Sequence, residues 1–394
     1  LVRKWWFRLL VILAGLVLLG IGGVAMSSWE ATGKGPDGDR LERMQKSPQW
    51  SGGKFVNGLD RHDGSYLKML TDYIKGTENR KPKVEVPTVP LTRADFASPP
   101  TSGLRITWLG HSTSLVEIDG HRFLLDPSWS ERGSPMTWAG PKRFYAPPLP
   151  LEELPEIDAV LISHDHYDHL DHRTIKALGD RVPRYYVPLG VGAHLEYWGV
   201  AADRIVEFDW WDEVTVGSVR LVATPSRHFS GRSLIMTDMN RTLWAGWAMV
   251  GPEHRVYYSG DTAMFPGLTE IGERLGPFDV TMLDSGAYNA LWADVHLGPE
   301  QAVAAHQMVR GKLYIPVHWA TFDLALHPWT EPAERIIAAA ANEGVAVAFP
   351  MPGQSIEPSK PPELVAWWPD LPCPTPPESP IVPPGRGWCL QPAP

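Results

Sequence analysis

Residues 161–171 read L-I-S-H-D-H-Y-D-H-L-D, placing three histidines and three aspartates within positions 164–171, directly behind an apolar run. Imidazole and carboxylate are the nitrogen and oxygen donors that zinc, iron and manganese accept. A solvated loop can be equally polar, but it seldom alternates His and Asp so regularly. On extended backbone His164 and His166 point the same way, and Asp168 and His169 follow on the turn into the next helix. One loop with four donors does not saturate two metals, so further ligands must arrive from elsewhere. Three candidates end apolar strands: His228 in T-P-S-R-H-F-S, Asp261 in Y-S-G-D-T and His318 in I-P-V-H-W. A single strand-terminal His is common by chance. The series H-x-H-x-D-H followed by strand-terminal His, Asp and His in that order is specific, and it points to a metal site.

Those donors need strands to carry them. Val160–Ile162 reads as a buried strand, so the polar cluster emerges at its C-terminal end, where α/β architectures gather ligands. From Leu104 the apolar residues alternate through L-R-I-T-W and S-L-V-E-I-D-G-H-R-F-L-L-D, predicting strands and a hairpin that turns at Asp119-Gly120. Further strand-like runs fall at Ala159–Ser163, Tyr185–Val187, Ile205–Phe208, Val219–Thr224, Val256–Ser259, Val280–Leu283, Tyr314–Val317 and Val345–Phe349. Helical patterns lie between them, at 299–310 with Pro299 near the first position and at 331–344 with Gly344 as the stop. Strands and helices mix throughout, an α/β composition, and no repeat at a solenoid or propeller period stands out. We place this folded domain at residues 104–355. Residues 30–103 are polar and rich in Lys, Gly and Pro, with one helical stretch around Tyr66–Ile74, and read as a linker and wrapping arm. Residues 356–394 form a Pro-rich tail.

The N-terminal residues 1–29 predict an address. Arg3, Lys4 and Arg8 precede Leu9–Met26, a run without charge, with Trp5, Trp6 and Trp29 near its ends. Such a stretch is a membrane anchor or a signal; a positive flank stays cytoplasmic, so the catalytic domain is expected to be exported. Gly15, Gly20, Gly22, Gly23 and Ala25 leave a cleaved signal open, while the length suits a marginal span. Of the 394 residues, 43% are hydrophobic and 21% charged, as in an ordinary globular protein. The net charge of −9 conceals an asymmetry: residues 1–100 hold 15 basic and 10 acidic side chains, and the remainder 21 and 35. An acidic body lacks the basic footprint of a nucleic-acid binder, so no nucleic-acid partner is expected. Cys373 and Cys389 sit in the tail, away from the donors; they either pair, if the protein is exported, or remain free thiols. No P-loop, G-x-G-x-x-G or G-x-S-x-G elbow occurs.

Taken with W-L-G-H-S-T at 108–113, L-L-D-P at 124–127, G-P-K-R-F at 140–144, S-G-D-T at 259–262, G-A-Y at 286–288 and V-H-W-A-T-F at 317–322, the donor stretches resemble the metallo-β-lactamase-fold hydrolases. Within them the chain is similar to the group containing the N-acyl-phosphatidylethanolamine-hydrolysing phospholipase D, over roughly residues 104–325. The resemblance implies an αββα sandwich, here preceded by the N-terminal hydrophobic segment, with two zinc ions per chain at one edge; iron or manganese are alternatives. His164, His166 and His228 would hold one ion, Asp168, His169 and His318 the other, and Asp261 would bridge them. The ions would activate a water for attack at phosphorus, with Asp168 counted among the catalytic residues. His296, in D-V-H-L-G-P-E-Q-A, matches a family histidine near the site; it either orients the phosphoryl group or protonates the leaving alcohol, or else caps the following helix. His111 and Asp126 are expected to support ligands. His62, His121, His172, His194, His254, His306 and His327 are expected to face solvent. Two departures bear on the substrate: Asp165 stands where Asn is usual, and L-D-S-G-A-Y at 283–288 puts Asp284 where the group is apolar. The reading is a phosphodiesterase acting on a phospholipid or a small-molecule ester, favoured by the membrane segment and 18 Trp. The rivals are a lactonase or carboxylic-ester hydrolase of the same fold, and a non-enzymatic, membrane-tethered metal-binding module.

Overall fold

The structure is a computed structural model that describes residues 22–59, 61, 64–378 and 380–381, together with positions 5, 11–13, 15 and 20. Two short strands, β1 (Trp50–Ser51) and β2 (Lys54–Phe55), form a hairpin in the N-terminal arm. Alternation then begins to organise the chain. β3 (Leu104–Gly110), β4 (Thr113–Ile118) and β5 (His121–Leu125) form an antiparallel meander. Ile118 pairs with His121, leaving Asp119 (φ 48°) and Gly120 (φ 87°) as a two-residue turn with both φ positive, the geometry that suits the twist of paired strands. Odd and even side chains go to different cores. Ile106, Trp108, Val116 and Phe123 face inward, and Leu109, Leu115 and Leu124 face the outer layer.

β6 (Ala159–Leu161), β7 (Tyr185–Pro188) and β8 (Ile205–Phe208) extend this sheet in parallel, and β16 (Ser355–Ile356) closes its other edge against β3. The second sheet contains β9 (Glu213–Val216), β10 (Val219–Thr224), β11 (Gly246–Val250), β12 (Arg255–Tyr258), β13 (Phe278–Asp284), β14 (Gly311–Val317) and β15 (Ala346–Val347). Each sheet has seven strands, in the orders β16-β3-β4-β5-β6-β7-β8 and β15-β14-β13-β12-β11-β10-β9. In both, an antiparallel half meets a parallel half, and the polar clusters leave at the C-terminal ends of the parallel strands and their neighbours.

Inward faces of the two sheets share one apolar core, in which Ile106, Phe123, Leu221, Tyr257 and Val280 are buried. The helices His172–Leu178 and Gly192–Tyr197 cover the first sheet through Ile175, Leu178 and Leu195. The helices Gly267–Leu275, Pro299–Met308 and Glu331–Glu343 cover the second through Ile271, Val303 and Ile336. Helix, sheet, sheet and helix therefore stack as four layers, the expected αββα arrangement.

The arm lies along this body. Phe55 and Met44 are fully buried against Leu243 and Trp244, and Val89 and Leu91 donate to Pro352 O and Pro148 O. Residues 22–28 are helical, and Leu9, Leu10, Ala14, residues 16–19 and Ile21 of the expected hydrophobic stretch lie outside the described residues, as do Arg3, Lys4, Arg8, Trp6, His62 and Cys389. Among the described residues no helix is long and apolar enough to cross a membrane. Cys373 is half-buried, and the cysteine with which it could pair, Cys389, is outside the described residues.

Candidate metal centre

Each strand end delivers one piece of the site. After β5, Asp126 takes φ 37°, a left-handed conformation that turns its carboxylate into the gap between the sheets. There it accepts the Ser163 N–H at 2.7 Å, the Tyr258 hydroxyl, and His169 Nδ1 at 2.7 Å. With Nδ1 engaged, His169 turns Nε2 toward Asp261, 3.2 Å from Oδ1. Asp126 is thus the supporting acceptor that its place in L-L-D-P predicted. Ser163 Oγ lies 2.9 Å from His164 Nδ1, which directs Nε2 of that ring inward as well.

From the second sheet, His228 gives Nδ1 to Val295 O at 2.7 Å and points Nε2 at the same centre. The arm braces its backbone: the Asn57 amide donates to His228 O at 2.8 Å and accepts from His228 N at 3.2 Å. Asp261 follows Gly260, whose φ of +57° suits glycine at a sharp turn. His318 itself has φ 66° and donates its N–H to His111 O. Non-glycine residues in this conformation are uncommon, and three of them, His111, Asp126 and His318, stand around one centre.

The donors form two groups. His166 Nδ1 lies 2.8 Å from His164 Nε2 and 3.3 Å from His228 Nε2, with Asp261 Oδ2 at 3.8 and 3.7 Å from the latter two nitrogens. Asp168 Oδ2 lies 3.7 Å from His169 Nε2 and 3.5 Å from His318 Nε2, and Asp261 Oδ2 is 3.1 Å from His318 Nε2. Asp261 therefore belongs to both groups. His111 donates from Nε2 to Asp168 Oδ2 at 2.8 Å, and its ring packs 4.2 Å from that of His318, a support for two donors at once.

These residues fit a pair of divalent cations. His169 Nε2, His318 Nε2 and Asp261 Oδ1 are buried without hydrogen-bond partners, and such atoms each cost about 1–3 kcal/mol unless something satisfies them. Three imidazole nitrogens converging on one point likewise need a common acceptor of lone pairs. The donors also divide by charge. Burial and the neighbouring imidazoles push His164 well below the ordinary histidine range; burial, with His166 and His296, does the same to His228 and outweighs Asp261. Burial lowers His166 too, and pushes His111 down to about 3 with help from His318. At His169 and His318 burial opposes the charged form, but Asp261 together with Asp168 or Asp284 outweighs it. His169 rises well above its ordinary value and His318 to about 10. Burial works against the ionised carboxylates too, yet His169 and its neighbours hold Asp168 and Asp261 well below their usual range. One group is neutral imidazole, and the other shares protons between imidazole and carboxylate.

His296 opens onto the same cavity, of about 490 Å³, as His166, Asp168, Asp261 and His318. Its Nδ1 is held by Asp284 Oδ2 at 2.7 Å, and Gly298 takes the N-cap position of the following helix, so the capping reading of His296 is set aside. Asp284, the last residue of β13, is fully buried and also lies 3.6 Å from His318 Nδ1. The sequence reading treated Asp284 as a source of charge and missed its contact with His296; its strand-terminal position was the available signal. A cavity of about 920 Å³ between the helices Pro299–Met308 and Glu331–Glu343 is larger but touches none of the donors.

The remaining histidines are not solvent-facing as expected. His172, His194 and His306 are buried, and His121, His254 and His327 half-buried. Local partners explain this: His306 bonds Thr281 Oγ1, His194 approaches Asp165, His254 bonds Asp119, and His327 stacks on Tyr288. None of them joins the donors. Asp165 accepts from Gly231 N and Thr242 Oγ1, both at 2.8 Å, and its carbonyl takes the buried Arg232 guanidinium, so its charge serves the back of the loop.

Comparison with known proteins agrees with this geometry. A β-lactamase superfamily domain matches residues 121–319. An uncharacterised protein of Mycobacterium tuberculosis is 47% identical over 336 residues, 82% of this chain and 88% of that one. The N-acyl-phosphatidylethanolamine-hydrolyzing phospholipase D 1 of Caenorhabditis elegans is 38% identical over 64% of this chain and 73% of its own. Among solved structures, an isothiocyanate hydrolase from Delia radicum gut bacteria aligns with a TM-score of 0.52 at 21% identity, over 64% of this chain and 98% of that one. The diiron β-hydroxylase CmlA of Streptomyces venezuelae aligns with a TM-score of 0.50 at 19% identity, over 66% and 55%. These two likenesses concern the fold.

Proposed function

The chain belongs to the β-lactamase superfamily and its relatives include a phospholipase D and metal-dependent hydrolases, and on that premise we propose that it is a dinuclear zinc phosphodiesterase acting on a phospholipid or a related phosphodiester. The observation that carries the proposal is the convergence of His164, His166, Asp168, His169, His228, Asp261 and His318, with unpartnered buried donor atoms, beneath an open cavity. His164, His166 and His228 would hold one ion, Asp168, His169 and His318 the second, with Asp261 shared. Bound there, two such ions supply Lewis acidity that ionises water near neutral pH and offsets charge developing on phosphorus. The chain's own residues do the rest. Asp126 and Ser163 fix the ring orientations of His169 and His164, and Val295 O fixes that of His228. Asp284 accepts from Nδ1 of His296, so that the ring, once protonated at Nε2 as well, can give that proton to the departing alkoxide and return to neutral imidazole.

The named activity of the 38%-identical relative favours attack at phosphorus over attack at a lactone or ester carbonyl. The run Leu9–Met26 supports a further part of the reading, in which the chain is held at a membrane with its catalytic domain exported. The test is metal analysis of the purified protein with a parallel screen of phospholipids, bis(p-nitrophenyl) phosphate and lactones. Two zinc ions per chain and phosphodiester cleavage are expected. Iron in their place corrects the metal, lactone opening alone rejects the phosphodiesterase, and hydrolysis that survives His164→Ala rejects the site.

A further inference from the structure

The arm helix Tyr66–Lys75 crosses the mouth of the metal-site cavity like a beam fixed at both ends. On the near side Gly64 N donates to Leu291 O at 2.8 Å, and a side chain at Gly64 would meet Leu291 at 2.7 Å, so the two backbones are in close contact. Beyond the helix, Thr77 Oγ1 donates to Leu326 O at 2.7 Å and Arg80 pairs with Asp323 at 2.7 Å, both on the loop that follows His318. Polar contacts hold the ends. The span between them is apolar: Met69, Leu70 and Tyr73 line the cavity opposite Leu291 and Trp292.

A helix pinned this firmly would ordinarily bury its apolar face, yet Leu70 is 56% and Tyr73 48% exposed. Met236, which also lines the cavity, is similarly uncovered. Clustered exposed apolar side chains mark contact with something apolar. Here they are continuous with the lining of a cavity whose floor is the donor set. A sugar or nucleotide ester would leave its hydroxyls facing Met69, Leu70 and Leu291 without partners, at a cost in binding. A hydrocarbon chain would meet no such cost.

We propose that residues 64–80 are the specificity element of this enzyme, and that Met69, Leu70 and Tyr73 with Leu291 and Trp292 form a wall that selects phosphodiesters carrying a long hydrocarbon substituent. The proposal rests on the phosphodiesterase reading and deepens it. Residues 64–80 lie outside the matched superfamily domain, whereas Leu291 and Trp292 lie within it, so the wall joins the arm to the domain.

The test uses the full, zinc-loaded chain with p-nitrophenyl alkyl phosphates bearing ethyl, hexyl, decyl or tetradecyl groups, all below their micellar concentrations. Burying a methylene gives at most about a fourfold gain, so kcat/KM is expected to rise at least about tenfold from ethyl to decyl. In the Met69→Ser/Leu70→Ser double variant the decyl-to-ethyl ratio is expected to fall to within about twofold of unity. A flat wild-type series overturns the proposal, as does a variant that keeps the wild-type ratio. A ratio that appears only at protein concentrations where the chain dimerises assigns the ridge to a second copy and overturns it as well. Failure to cleave any phosphodiester sinks the functional reading, whereas calorimetric binding of octyl and dodecyl phosphocholine reads the wall without turnover. Tighter binding of the longer chain, lost in the variant, supports the wall; equal binding refutes it.

Discussion

Asp126 sets the aim of His169 and, through Ser163, of the His164 loop. Replacing such a partner typically weakens metal binding by about 10–100-fold. Asp126→Ala should therefore lower zinc affinity by that factor in a competition titration, with the fold retained by circular dichroism. His296 makes a sharper case, because its role depends on the leaving group. His296→Ala should reduce kcat by about 10²–10⁴-fold for an alkyl leaving group but far less for p-nitrophenolate, which departs without a proton. Asp284→Asn should follow the same pattern more weakly; equal losses on both substrates would make the pair structural. The protons on the donors carry a further consequence. Asp261 and its neighbours raise His169 well above its ordinary value and His318 to about 10, which favours a proton on each ring in the protein alone. Ions must displace those protons, so loading at pH 7 should release about two per chain, and apparent affinity should climb as pH rises from 6 toward 9. Acidification by a weakly buffered protein on adding zinc measures this directly.

At the level of the strand and the turn, the backbone is as demanding as the ligands. A Cβ on Gly286 would lie 1.9 Å from His318 O and 2.7 Å from Trp319 Cα, and backbone gives way less readily than a side chain. Gly286→Ala should therefore displace His318, reducing the bound metal per chain and lowering the melting temperature; full occupancy in that variant would mean that the His318 turn adapts. Such close approaches are also where the sequence was hardest to read. Strands with a strict alternation or a short apolar run, such as β3 to β6, β10 and β12 to β14, were legible, and the donors at their ends came with them. β11 was not, because G-W-A-M-V is buried on both faces and has no period. β9 was missed because its residues are only half buried or exposed, and β16 because two residues hold it to β3. The buried histidines went astray for a related reason: each is covered by a residue distant in the chain, such as Thr281 over His306, and nothing local announces that partner. Burial of the arm was illegible too, since its polar composition hides Met44 and Phe55, two anchors at 0% exposure.

For the whole molecule, the two sheets contribute unequal shares of one site: residues 164–169 leave the first, and His228, Asp261 and His318 leave the second. An ion that binds only the folded chain adds RT ln(1 + [L]/Kd) to stability, about 4 kcal/mol at a thousandfold excess over Kd. Chelation should accordingly lower the melting temperature by several degrees, reversed by zinc and not by magnesium, which prefers oxygen donors. A melting curve indifferent to chelator would mean that the shared apolar core alone holds the sheets together. Neither sheet alone completes the donor set, so an ion held there would fasten one sheet to the other. A chain that carries the proposed ions should therefore resist proteolysis better than the same chain after chelation, a difference that limited digestion of the two forms would read.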